Sequence, residues 1–211
     1  TSSSTTGLMI SVTAFGRTEK DKVAYRSGAK DNELLCVTGN LGAAYIGLQI
    51  LEREKKIWKE NPGVQPDLSG HDFVIERILK PEARIDMVRA LAEKGVVPTS
   101  MIDISDGLAS EVLHLCKQSE CGVRIFEEKL PIDHTVSTQA AEFQLEPSLC
   151  ALNGGEDYEL LFTIAQDDYE KVKDIEDLHM IGHMTDKNSG AGLVYPQGEL
   201  IEIKSQGWKS F

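Results

Sequence analysis

The chain has 211 residues, 41% of them apolar, enough for one substantial core or for one domain and part of another. Its 22 basic and 34 acidic residues leave a net charge of −12, which argues against nucleic acid, whose backbone needs a basic footprint, but admits small phosphorylated ligands held through metal ions. No apolar run approaches the roughly 20 residues that cross a bilayer, and residues 1–6 have neither the charged start nor the apolar stretch of a signal peptide.

In chain order, residues 7–16 are rich in β-formers and read as a strand with Leu8, Ile10 and Val12 on one face, preceded by a polar arm. Such a lone leading strand needs a sheet to join, so the chain is expected to begin inside a longer protein. Residues 34–38 read as a short buried strand, and Gly39-Asn-Leu-Gly42 turns it into a helix with Leu41, Tyr45, Leu48 and Leu51 on one face. Gly42 and Gly47 are expected to let that helix lie close to its sheet. Pro62, Gly63, Pro66, Ser69 and Gly70 mark a loop over 61–72. A helix over 73–80 stops at Pro81. A second, with Ile85, Val88, Leu91 and Ala92 at helical spacing, ends at Gly95. A strand over 100–104 leads into a helix from about Gly107, with Leu108, Val112, Leu115 and Cys116 inward. Strands over 123–126, 158–164 and 179–184, helices over 134–143 and 169–175, and a terminal hairpin over 190–203 complete the reading. Strands alternating with helices predict a layered α/β (α+β) domain.

Three stretches carry candidate chemistry. Alternation in a strand puts Met101, Asp103 and Ser105 on one face and Ile102 and Ile104 on the other. Asp103 and Ser105 therefore face something polar at the C-terminal end of a strand, where α/β sheets hold ligands, and Asp106 stands where the next helix begins. Ser105 or Asp106 could serve simply as a helix cap, but a cap does not account for Asp103. Two carboxylates and a hydroxyl around such a turn suit a hard cation such as Mg²⁺, which takes oxygen ligands and bridges to phosphate. In Gly154-Gly-Glu-Asp-Tyr-Glu159, the glycines permit close approach of a ligand, and Glu156 beside them is the functional candidate. The competing reading is a loop with a solvated charged rim. Arg26 and Lys30 flank a glycine and could meet phosphate. The segment Thr38-Gly-Asn-Leu-Gly42 lacks the G-x-G-x-x-G of a dinucleotide site. Cys36, Cys116, Cys121 and Cys150 form no C-x-x-C pair, which predicts reduced thiols and a cytoplasmic setting rather than a zinc site. His179 and His183 would share a face on a regular strand and are read as structural. Trp208 is either a core plug or a platform for a flat ring.

Taken in order, Arg26-Ser-Gly-Ala-Lys30, Val37-Thr-Gly-Asn-Leu-Gly42, Ile102-Asp-Ile-Ser-Asp-Gly-Leu108, Gly154-Gly-Glu-Asp-Tyr-Glu-Leu160 and Gly207-Trp208 resemble the thiamine-monophosphate kinase family, in the superfamily of aminoimidazole ribonucleotide synthetase. The first acidic motif alone has looser relatives, among them selenophosphate synthetase and hydrogenase-maturation proteins. The resemblance implies a mixed sheet with packed helices. It implies transfer of the ATP γ-phosphoryl onto thiamine monophosphate, assisted by Mg²⁺, in a homodimer. It implies Asp103 and Asp106 as metal ligands, Ser105 and Arg26 as ATP contacts, and Glu156 and Trp208 as substrate contacts, with no catalytic base. It covers the later part of the family's length. Residues 1–25 then correspond to the end of an upstream ATP-binding domain of on the order of 100–150 residues, residues 26–211 to the C-terminal domain, and this chain alone is expected to be inactive or nearly so. The alternatives are another ATP-dependent enzyme of the superfamily, a ligase or a selenophosphate synthetase relative, and a non-catalytic binding module.

Overall fold

The computed structural model describes residues 2–4 and 7–204. In chain order the strands are β1 (Ser2–Ser4), β2 (Gly7–Met9), β3 (Leu34–Thr38), β4 (Ser100–Asp103), β5 (Gly122–Phe126), β6 (Leu160–Ile164), β7 (Leu178–Thr185), β8 (Ala191–Val194) and β9 (Leu200–Glu202). The helices are α1 (Ala43–Glu60), α2 (Asp72–Leu79), α3 (Ile85–Glu93), α4 (Leu108–Ser119), α5 (His134–Glu142), α6 (Pro147–Asn153) and α7 (Tyr169–Val172).

Among the described residues, β3–β9 form one seven-stranded sheet in the order β4-β6-β3-β7-β5-β8-β9. It is mixed: β5 and β8 run parallel, and the other neighbouring pairs are antiparallel. This is the layered architecture expected from the alternation of strands and helices, with the mixed sheet that the resemblance implies. The β-branched and aliphatic runs of β3 and β6 are buried on both faces, which is why they read as continuous apolar segments. On one face, α4 lays Leu108, Val112 and Leu115 against Leu35, Val37, Leu161 and Ile181. On the other, Met87 and Leu91 of α3 and Val172 of α7 pack on Cys36, Phe162 and Ile164. A third core lies among helices, joining Ala43, Ile46 and Ile50 of α1 to Val74, Val136 and Cys150.

Several sequence expectations shift. The leading strand is only Gly7–Met9, and it pairs with Ser2–Ser4 rather than with the main sheet. Leu8, Ile10, Val12 and Phe15 are exposed: β-forming side chains alone make no strand without a neighbour to bond. The buried face of α1 is Ala43, Ile46, Gly47 and Ile50, not Tyr45, Leu48 and Leu51. The reason is at Gly47, where an added Cβ would overlap the Val74 carbonyl. The smallest side chains of α1 face α2, and the two helices meet backbone to backbone. Gly42 likewise approaches α6 (3.0 Å from the Ala151 nitrogen to a Cβ placed there), so both glycines serve helix–helix rather than helix–sheet contact. In α3 the buried residues are Met87 and Leu91, while Ile85 and Val88 are exposed. The seven-residue α6, with Pro147 in its first turn, was not anticipated. Cys36, Cys116 and Cys150 are buried and Cys121 half-buried, all as free thiols. Trp208 lies outside the described residues.

Candidate functional site

The two acidic motifs, some fifty residues apart in sequence, are one structure in space. β4 pairs with β6, Asp103 opposite Leu160. The ladder then runs on past both strand ends. The Ile104 N–H donates to the Glu159 carbonyl (2.8 Å), the Tyr158 N–H to the Ile104 carbonyl (2.9 Å) and the Glu156 N–H to the Ser105 carbonyl (2.8 Å). Glycines make this closeness possible. A Cβ on Gly155 would stand 2.6 Å from the Ser105 carbonyl oxygen, and one on Gly107 2.7 Å from that of Leu152. Asp103, Ser105, Asp106 and Glu156 therefore gather at one end of β4, as Asp103 and Ser105 were expected to.

Their burial differs in a telling way. Ile102 and Ile104 are buried, while Asp103 and Ser105 are half-buried and Asp106 is exposed. Neither Asp103 nor Asp106 has an ion-pair partner among the described residues. Glu156 is exposed, and its Oε2 accepts the Tyr158 hydroxyl (3.1 Å). That hydroxyl is pushed above its ordinary pKa by burial first, then by the bond to Glu156, with the charges of Asp103 and Asp106 adding to it. Glu156 and Tyr158 both hold left-handed backbone, φ 61° and 51°. For side-chain-bearing residues this is costly, and it clusters where function requires a fixed shape.

The other acids of the second motif are anchors, not a solvated rim. Asp157 is 1% exposed and accepts the Gly42 N–H (2.9 Å) and the Ala44 N–H (3.4 Å), capping α1 from a distant loop. Burial pushes its carboxyl up to about 7, against the lowering pull of those N–H donors and of Arg77. Glu159 is equally buried. It meets Arg77 at 2.7 Å and Arg84 at 3.1 Å and accepts the Thr38 hydroxyl. These partners come from α2, from the turn before α3 and from the end of β3, and sequence spacing gives no sign of them.

One acid at the turn was missed. Glu111, on the first turn of α4, is 2% exposed, and its Oε1 accepts the Asp106 N–H (3.3 Å). Burial pushes its carboxyl up to about 7, with Asp106 and Asp103 adding to the rise. Its place at helical spacing beside the inward Leu108, Val112 and Leu115 was the available signal.

Arg26 lies beside β4 rather than on the turn itself. It follows Tyr25, whose carbonyl accepts the Met101 N–H (2.8 Å) at the free edge of β4. It is exposed, with no hydrogen bond or ion pair to the acidic turn among the described residues. An open cleft of about 750 Å³ lies elsewhere, over β3, β7 and β5. His179 and His183 both border it, and His183 stacks at a tilt on Phe126 (5.9 Å). A register shift of β3 on β7 interrupts the alternation between the two histidines.

The donor set at the turn fits the cation that the resemblance implies in part. Among the described residues no group of three or more His, Cys, Asp or Glu is arranged to hold a metal by itself. Mg²⁺ binds through one or two carboxylates together with phosphates and retained waters. Two unpaired carboxylates at an open strand end fit that partial role.

Fold and turn together define an α/β domain that presents acidic side chains at the end of an edge strand. The chain belongs to the family described as AIR synthase related protein, C-terminal domain, which matches residues 32–194. It is similar to the thiamine-monophosphate kinase of Buchnera aphidicola subsp. Schizaphis graminum, 33% identical over 97% of this chain and 60% of that protein. Among solved structures it resembles AaThiL complexed with AMPPCP and TMP, with 31% identity, a TM-score of 0.69 and coverage of 89% of this chain and 54% of that one. It also resembles thiamine monophosphate kinase from Aquifex aeolicus, with 31% identity, a TM-score of 0.66 and coverage of 85% and 54%. The chain thus spans little more than half the length of the relatives it matches.

Proposed function

We propose that this chain is the C-terminal part of a thiamine-monophosphate kinase, which transfers the γ-phosphoryl of ATP directly to thiamine monophosphate to give thiamine diphosphate. The observation that carries the reading is the joined turn, where unpaired Asp103 and Asp106 stand beside the exposed Glu156, held by main-chain bonds between two motifs. It is supported by the likeness to kinases bearing that name and to a structure holding AMPPCP and TMP.

The parts list follows from charge. The nucleophile is a phosphate oxygen, already anionic near neutral pH, so no general base is required. The obstacle is bringing two polyanions into line; Mg²⁺, when bound, supplies neutralisation and bridging of their phosphates. Asp103 and Asp106 hold the cation. Ser105 contacts ATP from the same strand face as Asp103, and Arg26, exposed at the edge, meets phosphate. Glu156 faces the thiamine side, where a carboxylate balances the cationic thiazolium, and Trp208 takes the ring-wall role. Residues 1–25 end an upstream domain that carries further metal ligands and the dimer contact of a cytoplasmic homodimer. The chain alone is accordingly inactive or nearly so.

The test is an assay of thiamine diphosphate formation in the full-length protein. Asp103→Asn is expected to lower kcat on the order of 100-fold or more. Glu156→Gln is expected to raise the KM for thiamine monophosphate about tenfold, the loss of a charged contact. An undiminished rate in the first variant would remove the metal role, and an unchanged KM in the second would favour a different substrate in the same superfamily.

A further inference from the structure

Buried acids elsewhere in the chain are matched to donors. Glu159 meets Arg77 and Arg84. Glu54 meets Arg53. Glu33 accepts the Lys30 N–H and the Thr99 hydroxyl. Glu111 breaks the pattern. It is 2% exposed, yet its Oε2 is buried with no hydrogen-bond partner. No lysine, arginine or histidine pairs with it, with Asp103 or with Asp106 among the described residues. Its place on the first turn of α4 suits a carboxylate and accounts for Oε1, which accepts the Asp106 N–H. It does not account for a sealed, unmatched Oε2, which is costly unless a donor arrives.

We propose that Glu111 is a positioning residue of the cation site: Oε1 holds the main chain of Asp106, and Oε2 accepts a hydrogen bond from a water carried by the divalent cation that Asp103 and Asp106 bind. This rests on the cation role given above to those two aspartates. Glu111 acts through water and main chain rather than as a direct ligand, because the three acids do not converge as a metal-holding group. Carboxylates one step out from a metal orient its ligands and waters and set affinity by factors of about 10–100.

The experiment is a Mn²⁺ titration of the full-length protein with AMPPCP bound, followed by electron paramagnetic resonance, with thermal unfolding of the metal-free protein alongside. Glu111→Gln keeps the shape and an acceptor for Asp106 but removes the charge. It is expected to raise the Mn²⁺ Kd about tenfold, with the metal-free midpoint unchanged or higher, since an unmatched buried charge is gone. A wild-type Kd in this variant overturns the inference. So does loss of its fold without metal, which would make the carboxylate a structural group. Asp103→Asn separates the inference from the reading beneath it. If Asp103→Asn weakens Mn²⁺ binding and Glu111→Gln does not, only the Glu111 role falls. If wild type shows no saturable binding, or Asp103→Asn binds as wild type does, the cation site itself falls and the inference with it.

Discussion

At the scale of single residues, the turn joining Ser105 to Glu156 is held in a conformation its side chains disfavour. Left-handed backbone costs a non-glycine residue roughly 1–2 kcal/mol, and Glu156 adopts it at φ 61°. Glycine bears no such cost. Glu156→Gly is therefore expected to stabilise the chain by up to about 1 kcal/mol while weakening thiamine-monophosphate binding in the full-length protein. Urea unfolding and the KM would read the two effects separately, and a destabilised variant would mean that the Tyr158 hydroxyl bond to Glu156 outweighs the backbone strain. The same residues show what sequence can and cannot disclose. Asp103 was legible because alternation forces it opposite two buried isoleucines. Asp157 and Glu159 were not, because their partners lie across the fold at Gly42, Thr38, Arg77 and Arg84. An acid bound to a remote donor is indistinguishable in sequence from one bathed in water.

Elements were legible where a single period dominated. The inward face of α4 is legible because Leu108, Val112 and Leu115 share one side while the exposed His114, Lys117 and Gln118 share the other, with Leu113 half-buried between them. In α1 two stripes compete, and the larger one, through Leu48 and Leu51, lost to the smaller one through Ala43, Gly47 and Ile50. Close approach of α2 decided the matter, a tertiary effect that propensity does not contain. Gly47→Ala is accordingly expected to destabilise the protein by about 2–3 kcal/mol, the usual cost of overpacking, although alanine is the better helix former. Equilibrium unfolding in urea checks it; a stabilised variant would mean α2 yields freely. The short α6 escaped notice because its seven residues bury Ser148, Cys150, Ala151 and Leu152 nearly all round, which leaves no periodic contrast.

For the whole molecule, a net charge of −12 makes the folded state self-repelling at neutral pH, and two buried carboxyls sharpen the dependence. Asp157 and Glu111 are each pushed up to about 7. A carboxyl raised in the folded state binds its proton there before the unfolded chain does. Its contribution to stability is therefore complete below the ordinary carboxylate range and is lost as pH climbs through 7. Stability is expected to rise as pH falls from 8 to 5. Asp157→Asn, facing the same Gly42 and Ala44 N–H groups, Arg77 and Glu159, is expected to flatten that slope. Urea midpoints at four pH values would show it, and an undiminished slope would deny the raised carboxyl. The layering itself was evident from the order of strands and helices, and the mixed sheet from the family resemblance, but strand neighbours were not, since apolar pattern carries no address. That order has a temporal corollary. β3, near the start, is flanked by β6 and β7, both from the last quarter of the chain. A ribosome releasing this polypeptide must extrude some 120 further residues before Leu35 and Val37 find either companion. Until then those greasy segments stand naked, which makes the nascent molecule a natural client for chaperones that shield exposed hydrocarbon.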